Sequence, residues 1–316
     1  MFESKYNLSV LLIFFARPDT LKVVFSEIKK ARPSKLFLAC DGARENVKGE
    51  AERVDLCKKI VSHIDWDCEV LTHYSDVNLG CGRGPETAIS WAFEHTDKLV
   101  ILEDDCVPSE SFFPYMEEML NYYDNDNRIG IISGFNHFQE WNCGNNSYCF
   151  TKYGATLGWG TWKRVWDKFD FHVDLISDEY CQKLLRNDIP NKKSMLSRMK
   201  SWQTANIETY NKKVNYWDIQ FGFVKYSQSY LCVVPKTNLI YNIGVGIGST
   251  HTELGKKKEW KLGQVLFMPT KDLFFPLQHP KYVICDREYD ERCFNIVLHK
   301  SFLRKAINKL KRMIIQ

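Results

Sequence analysis

No Cys-x-x-Cys pair occurs among the eleven cysteines of this 316-residue chain, and no histidine stands at zinc-finger spacing from them. A structural zinc module is therefore excluded. An odd cysteine count without framework spacing also argues against a disulfide scaffold and favours a reducing cytosol. Cys40 and Cys232 sit inside apolar runs, where a thiol behaves as a small buried hydrophobe. Long hydrophobic runs are missing too. Leu8–Ala16 (LSVLLIFFA) is nine residues long, against the roughly 20 that a bilayer span takes. It follows Lys5 as a signal-peptide core would, but Glu3 stands in its leader and no small-x-small cleavage site follows. It reads as a first buried strand. The net charge is only +4, which leaves no global nucleic-acid signature.

What is present marks an ordered globular protein. Hydrophobic residues make up 44% and aromatics 14%, enough for a sizeable core in one large or two ordinary domains. No repeat and no linker-like tract interrupts the chain, which favours one continuous domain over residues 1–298. The first half alternates strand and helix: strand Leu8–Ala16, helix Asp19–Ala31, strand Lys35–Cys40, helix Asn46–Ile64 and strand Cys68–His73. The glycine-rich loop Ser75–Gly84 then leads to helix Pro85–His95. This βαβα order predicts an α/β fold with a parallel, doubly wound sheet. The glycine-rich loop is no phosphate loop, since neither Gly-Lys-Ser/Thr nor G-x-G-x-x-G spacing is found.

The densest chemistry follows. Leu99–Leu102 reads as a buried strand that delivers three consecutive carboxylates, Glu103, Asp104 and Asp105, to its carboxyl end. Pro108 and Ser109 then open a helix carrying Phe112, Phe113, Tyr115, Met116 and Met119. Adjacent carboxylates repel one another unless water or a cation relieves them. In open α/β sheets ligands bind beyond the carboxyl ends of the strands. Mg²⁺-type ions use few protein carboxylates plus phosphate oxygens, so a cation shared with a diphosphate suits this place. A solvated turn suits an acidic triplet as well.

The second half is less regular. Ile129–Gly134 reads as a strand, Gly158–Trp166 is rich in tryptophan, and Asn187–Arg198 reads as a polar loop entering a helix. Val214–Gly222, strand Leu231–Val234 and the glycine-rich stretch Asn242–Thr252 follow. Trp159, Trp162 and Phe135 would suit stacking on sugar faces, although Trp159, Trp162 and Trp166 at helical spacing fit core packing equally.

The segments ILEDDCVPSESFF (101–113), ISGFN (132–136), LGWGTWKRVW (157–166), WDIQF (217–221), NLIYNIGVGIGSTHT (238–252) and PLQHP (276–280) occur in an order that resembles GT-A fold glycosyltransferases. The chain looks most like bacterial nucleotide-diphospho-sugar transferases of the family-2 type. It is also similar, more thinly, to the Golgi enzyme that adds the first N-acetylglucosamine to trimmed N-glycans. The resemblance implies a Rossmann-like, mostly parallel sheet flanked by helices, with a nucleotide-binding half to about residue 135 and an acceptor-facing half over 136–298. It implies that Arg17 contacts the nucleotide and its diphosphate, Asp41 the nucleobase, Asp104 the ribose and Glu103 the donor sugar. Asp105 would bind Mn²⁺ or Mg²⁺, and Asp218 would be the catalytic base of an inverting transfer. A surface arginine, an Asp-Gly turn and a helix N-cap are the alternatives for Arg17, Asp41 and Asp218. Arg83, at the entrance of a helix, could reach a phosphate or simply lie on the surface. His251 falls where a late metal or phosphate contact is placed, or is structural.

The tail Lys300–Gln316 sets Leu303, Ala306, Ile307, Leu310, Met313 and Ile314 on one helical face, with six basic residues and no acid. That is the pattern of an interfacial helix on an anionic membrane, over residues 299–316. A cytoplasmic protein, peripheral on the inner face of the cell membrane and acting on a surface-polysaccharide or lipid-linked glycan, is the expectation. UDP-sugars, such as UDP-N-acetylglucosamine, are the donors that the resemblance favours. Two rivals stand beside it. A sugar nucleotidyltransferase would carry a glycine-rich basic loop after the first strand, where Ala16-Arg-Pro-Asp-Thr20 stands instead. A non-catalytic glycan-binding scaffold would need no cation ligand and base side by side.

Overall fold

The computed structural model describes residues 2–244 and 268–296. His251 and the basic tail lie outside the described residues. The first half follows the expected alternation. Strand β1 (Tyr6–Phe14) leads to α1 (Pro18–Ala31), β2 (Pro33–Cys40), α2 (Glu50–Val61), β3 (Glu69–Tyr74), α3 (Gly80–Ala92) and β4 (Lys98–Glu103). After β4 come β5 (Cys106–Pro108), α4 (Phe112–Tyr122), β6 (Ile129–Ser133), β7 (Tyr148–Thr151), β8 (Trp159–Trp162) and the single turn α5 (Lys163–Trp166). The chain continues through α6 (Glu179–Asp188), α7 (Lys192–Tyr210), α8 (Asp218–Ser227), β9 (Leu231–Pro235) and β10 (Ile240–Asn242).

Eight strands form one sheet in the order β3-β2-β1-β4-β8-β6-β9-β7, and β10 pairs with β5 in a separate two-stranded ribbon. β3, β2, β1 and β4 are mutually parallel, β8 runs antiparallel to both β4 and β6, and β6 is parallel to β9. β6 and β9 therefore point the same way as β1 and β4. The fold is a Rossmann-like α/β sheet with helices on its faces. Its central strand β1 is flanked on both sides, so Val10, Leu11, Leu12 and Phe14 are all buried, which is why its sequence is a near-continuous apolar run.

The helices form for local reasons. In α1, Pro18 occupies the first turn, Leu21, Val24, Phe25, Ile28 and Ala31 make one buried stripe, and the N–H of Arg32, in the left-handed region, closes the helix on the Ile28 carbonyl. Burying each large aliphatic side chain contributes about 1.5–3 kcal/mol. Two readings of the sequence change. α3 begins at Gly80, inside the stretch expected to be loop. The aromatic stretch holds a strand, β8, before its single helical turn; Trp159 and Trp162 are buried to 1% and 2% exposure, and Phe135 to 1%. None of the three is open to a sugar. Asn187–Arg198, expected as a polar loop entering a helix, holds the last residues of α6, a three-residue link and the first turns of α7. Among the described residues no helix is long and apolar enough to cross a membrane, and all eleven cysteines are free thiols.

Candidate functional site

Parallel strands in register bring their carboxyl ends to one edge. Ile13 of β1 lies beside Glu103 of β4, and Phe14 lies beside Cys40 of β2. The residues just beyond, Arg17, Asp41, Asp104 and Asp105, are thereby neighbours along that edge. Arg17 reaches across from the start of α1. Its Nη1 donates to Asp105 Oδ2 at 3.0 Å, and its Nη2 donates to Asp104 Oδ1 in a very short contact. The Phe15 N–H donates to the other oxygen of Asp104 at 3.0 Å. The repulsion between Asp104 and Asp105 is thus relieved by an internal cation, the guanidinium, whereas Glu103 lies outside that pairing.

Each member of the triplet has its own environment. Asp104 is 2% exposed; burial pushes its carboxyl up to about 6 against the pull of Arg17. Burial, followed by the charges of Asp105 and Asp104, holds the Glu103 carboxyl well above the usual range. Among the described residues no donor bonds the Glu103 side chain. Asp105 accepts from Arg17 on one oxygen and from Asn242 Nδ2 (3.2 Å) and Cys106 Sγ (3.4 Å) on the other. The β5–β10 ribbon brings Asn242 there by pairing it with Cys106. Burial alone would lower the Arg17 pKa, but the two carboxylates outweigh it and raise it above the ordinary value.

Asp41 ends β2 and is wholly engaged with backbone. Its Oδ1 accepts from the N–H groups of Leu79 (2.8 Å) and Gly42 (3.0 Å), and its Oδ2 from Gly80 N–H (2.8 Å). Burial raises its pKa, against these three bonds. Asp218 opens α8 as its first helical residue, with Trp217 as the cap position, and it is exposed. The segment leading into α8 packs on the first turn of α3, with Cys81 Sγ 2.7 Å from Asn215 Oδ1, and Asp41 ties that turn to the end of β2, so α8 starts at the same edge. Trp217 stacks on Trp159 at 5.7 Å, and the Tyr216 hydroxyl donates to Glu208 at 2.6 Å. Arg83 pairs with Glu86 at 3.2 Å and lies 3.6 Å over the ring of Phe171, a contact that holds it on the surface of α3. Asn242 and the Phe15 N–H were not singled out from sequence. Asn242 does lie within the NLIYN segment that carried part of the resemblance.

No protein-family model matches this chain, and no curated protein matches it. Among solved structures it is similar to a UTP-bound UGPase from Acinetobacter baumannii, at 6% identity over 74% of this chain and 88% of that one, with a TM-score of 0.36. A UDP-glucose pyrophosphorylase complexed with UDP-glucose is similar at 9% identity, 74% and 92% coverage and a TM-score of 0.32. A homologue of Mycobacterium tuberculosis Rv0371c from Mycobacterium sp. strain JC1 reaches 10% identity, 55% and 81% coverage and 0.28. At such scores the likeness carries no weight; the architecture stands on its own strand order.

The donor set permits a hard cation only in company. Among the described residues no group of three His, Cys, Asp or Glu side chains could hold a metal ion. Asp105 offers carboxylate oxygens, the right chemistry for Mg²⁺ or Mn²⁺, but one carboxylate needs phosphate oxygens to complete the shell. Arg17 is 30% exposed and set between Asp104 and Asp105.

Proposed function

We propose that this chain is a glycosyltransferase that moves a sugar from a nucleotide-diphosphate donor to a glycan or lipid-linked acceptor, with inversion. The observation that carries the reading is the clustering at one sheet edge of Arg17 and the triplet with the head of α8, where Asp218, a residue from the far half of the chain, stands two residues after the Tyr216 backbone that packs on Gly82 of α3. The edge is also where α/β sheets take their ligands. In this reading the N–H groups of Arg17 that Asp104 and Asp105 do not take reach the donor diphosphate with charge-assisted hydrogen bonds. Asp104, with one oxygen on the Phe15 N–H, faces the ribose, Asp41 the nucleobase side and Glu103 the sugar. Asp105 would hold the Mn²⁺ or Mg²⁺ ion, which supplies charge stabilisation for the departing nucleoside diphosphate. Asp218, exposed at the head of α8, takes the proton of the acceptor hydroxyl as general base.

The rivals fit less well. β1 passes through Phe15–Arg17 straight into α1 at Pro18, which leaves no room for the glycine-rich loop of a nucleotidyltransferase. A scaffold would have no use for Asp218 at the head of a helix whose lead-in packs on the same sheet edge. The basic tail over 299–316 extends the reading to an anionic membrane surface carrying a lipid-linked acceptor. The test is calorimetric titration of UDP, GDP and CMP, with and without Mn²⁺, on wild type and Asp105→Ala. Mn²⁺-dependent binding of one diphosphate that disappears in the variant is expected. A folded protein that binds none of the three nucleotides overturns the proposal.

A further inference from the structure

The three backbone donors on Asp41 belong to one assembly that ends at Asp218. α3 has no side-chain cap of its own, and the N–H groups of Leu79 and Gly80 at its start are taken by Asp41 from the end of β2. Asn78 adds a side-chain bond to the Gly42 carbonyl at 2.7 Å, and the Gly42 N–H returns to the Val77 carbonyl at 3.3 Å. The first turn of α3 is therefore tied to the β2 end on one side.

Its other side lies flush on the segment that leads into α8. The Cys81 thiol contacts Asn215 at both its carbonyl (3.2 Å) and its Oδ1 (2.7 Å). A Cβ on Gly82 would stand 3.1 Å from the Tyr216 nitrogen and 3.3 Å from the carbonyl oxygens of Tyr216 and Val214. At those distances any Cβ would crowd the 214–216 backbone, and glycine lets the two segments pack as they do. Gly80 takes φ +74° beside Asn215, a conformation that glycine adopts without strain. The segment is held from behind as well, by the Tyr216 hydroxyl on Glu208 and by Gln220 Nε2 on the Tyr216 carbonyl at 3.0 Å. Two residues after Tyr216 stands Asp218.

We propose that Asp41 is a positioning residue for Asp218: it anchors the first turn of α3, and the glycine-lined face of that turn sets the backbone of 214–216 and so the head of α8. The inference rests on the reading of Asp218 as the base. It also gives the glycine-rich stretch a purpose that no phosphate-loop pattern supplied: it is a close-packed joint between the two halves of the site. A base that must sit within hydrogen-bond reach of one hydroxyl loses much of its effect when displaced by even an ångström.

The test compares wild type with Gly82→Ala and Asp41→Asn. An alanine at 82 pushes the 214–216 backbone by a few tenths of an ångström. Hydrogen exchange on peptides covering 212–224 is expected to quicken tenfold or more in both variants, while peptides covering 8–14 stay protected. Hydrolysis of a UDP-sugar by Gly82→Ala is expected to show kcat per folded molecule, with the folded fraction measured by circular dichroism, reduced at least tenfold and KM within twofold. Exchange at 212–224 equal to wild type in Gly82→Ala overturns the proposal, whether or not UDP binds. UDP failing to bind wild-type protein overturns the nucleotide-sugar reading instead. If Asp41→Asn fails to fold, Gly82→Ala and Cys81→Ala carry the exchange measurement.

Discussion

Arg17 and Asp104 form a nearly buried ion pair: the carboxylate is 2% exposed, the arginine 30%, and the same guanidinium holds Asp105 at 3.0 Å. Removing one partner of such a pair leaves a buried charge without its counter-ion, which costs about 3–5 kcal/mol. Arg17→Ala is therefore expected to lower the unfolding free energy in urea by that order at pH 7. The deficit should narrow at pH 5, where Asp104 is protonated and no longer needs the partner. A variant as stable as wild type at pH 7 would show that the pair contributes nothing.

Asp218 presents the opposite case. It is exposed at the first position of α8, where an acidic side chain contributes only about 0.3–1 kcal/mol through the helix dipole. Asp218→Asn should fold normally, bind UDP within twofold of wild type, and lose roughly 10²–10⁴ in kcat, the usual share of a general base. Retained turnover would remove Asp218 from the chemistry.

His137 sets an acid limit on stability. Burial, helped by the charge of Lys225, lowers its pKa to about 4, and its ring Nδ1 shares a hydrogen bond with the Tyr289 hydroxyl at 3.1 Å. An unfolded histidine titrates near ~6.5. Between those values the unfolded chain binds the extra proton, so stability falls as pH drops from about 6.5 to 4, by up to ~3 kcal/mol. His137→Gln should flatten that part of the profile measured by denaturant midpoints. An unchanged slope would place the acid sensitivity elsewhere.

The aromatic layer behind Asp218 is the last point. Phe221, fully buried, has ring centroids at 5.0 Å from Trp159, 5.5 Å from Trp166 and 6.1 Å from Trp217. Phe221→Ala is expected to cost about 3–5 kcal/mol and to lower the thermal midpoint accordingly. A loss below ~1 kcal/mol would mean that the layer collapses to fill the gap.

The sequence by itself determined the strands at the heart of the sheet. β1, β2 and β4 are buried on both faces, so each is written as an apolar run that ends in charged or polar residues, and the turn chemistry around them punctuates a βαβα order. The same property made Arg17, Asp41 and the triplet visible as residues that follow strands. Local pattern misled where two periods overlapped. Trp159 and Trp162 carry helical spacing yet lie in β8, because a short strand in mid-sheet buries every residue and erases the alternation that would mark it. Only the entry into α7 was legible, and its extent to Tyr210 was not, because its buried positions, Ser194, Met199, Trp202, Ala205 and Thr209, mix polar with apolar. Tertiary structure alone decided who meets whom. Arg17 pairs with Asp104 and Asp105 because β1 and β4 are parallel neighbours with Ile13 beside Glu103. Asp41 caps a helix 38 residues onward in sequence because β2 and the start of α3 end at the same edge. Asp218 joins them because α8 begins at that edge as well. These pairings depend on strand order and register, which are set by how separate apolar faces share one core, and no single segment encodes that.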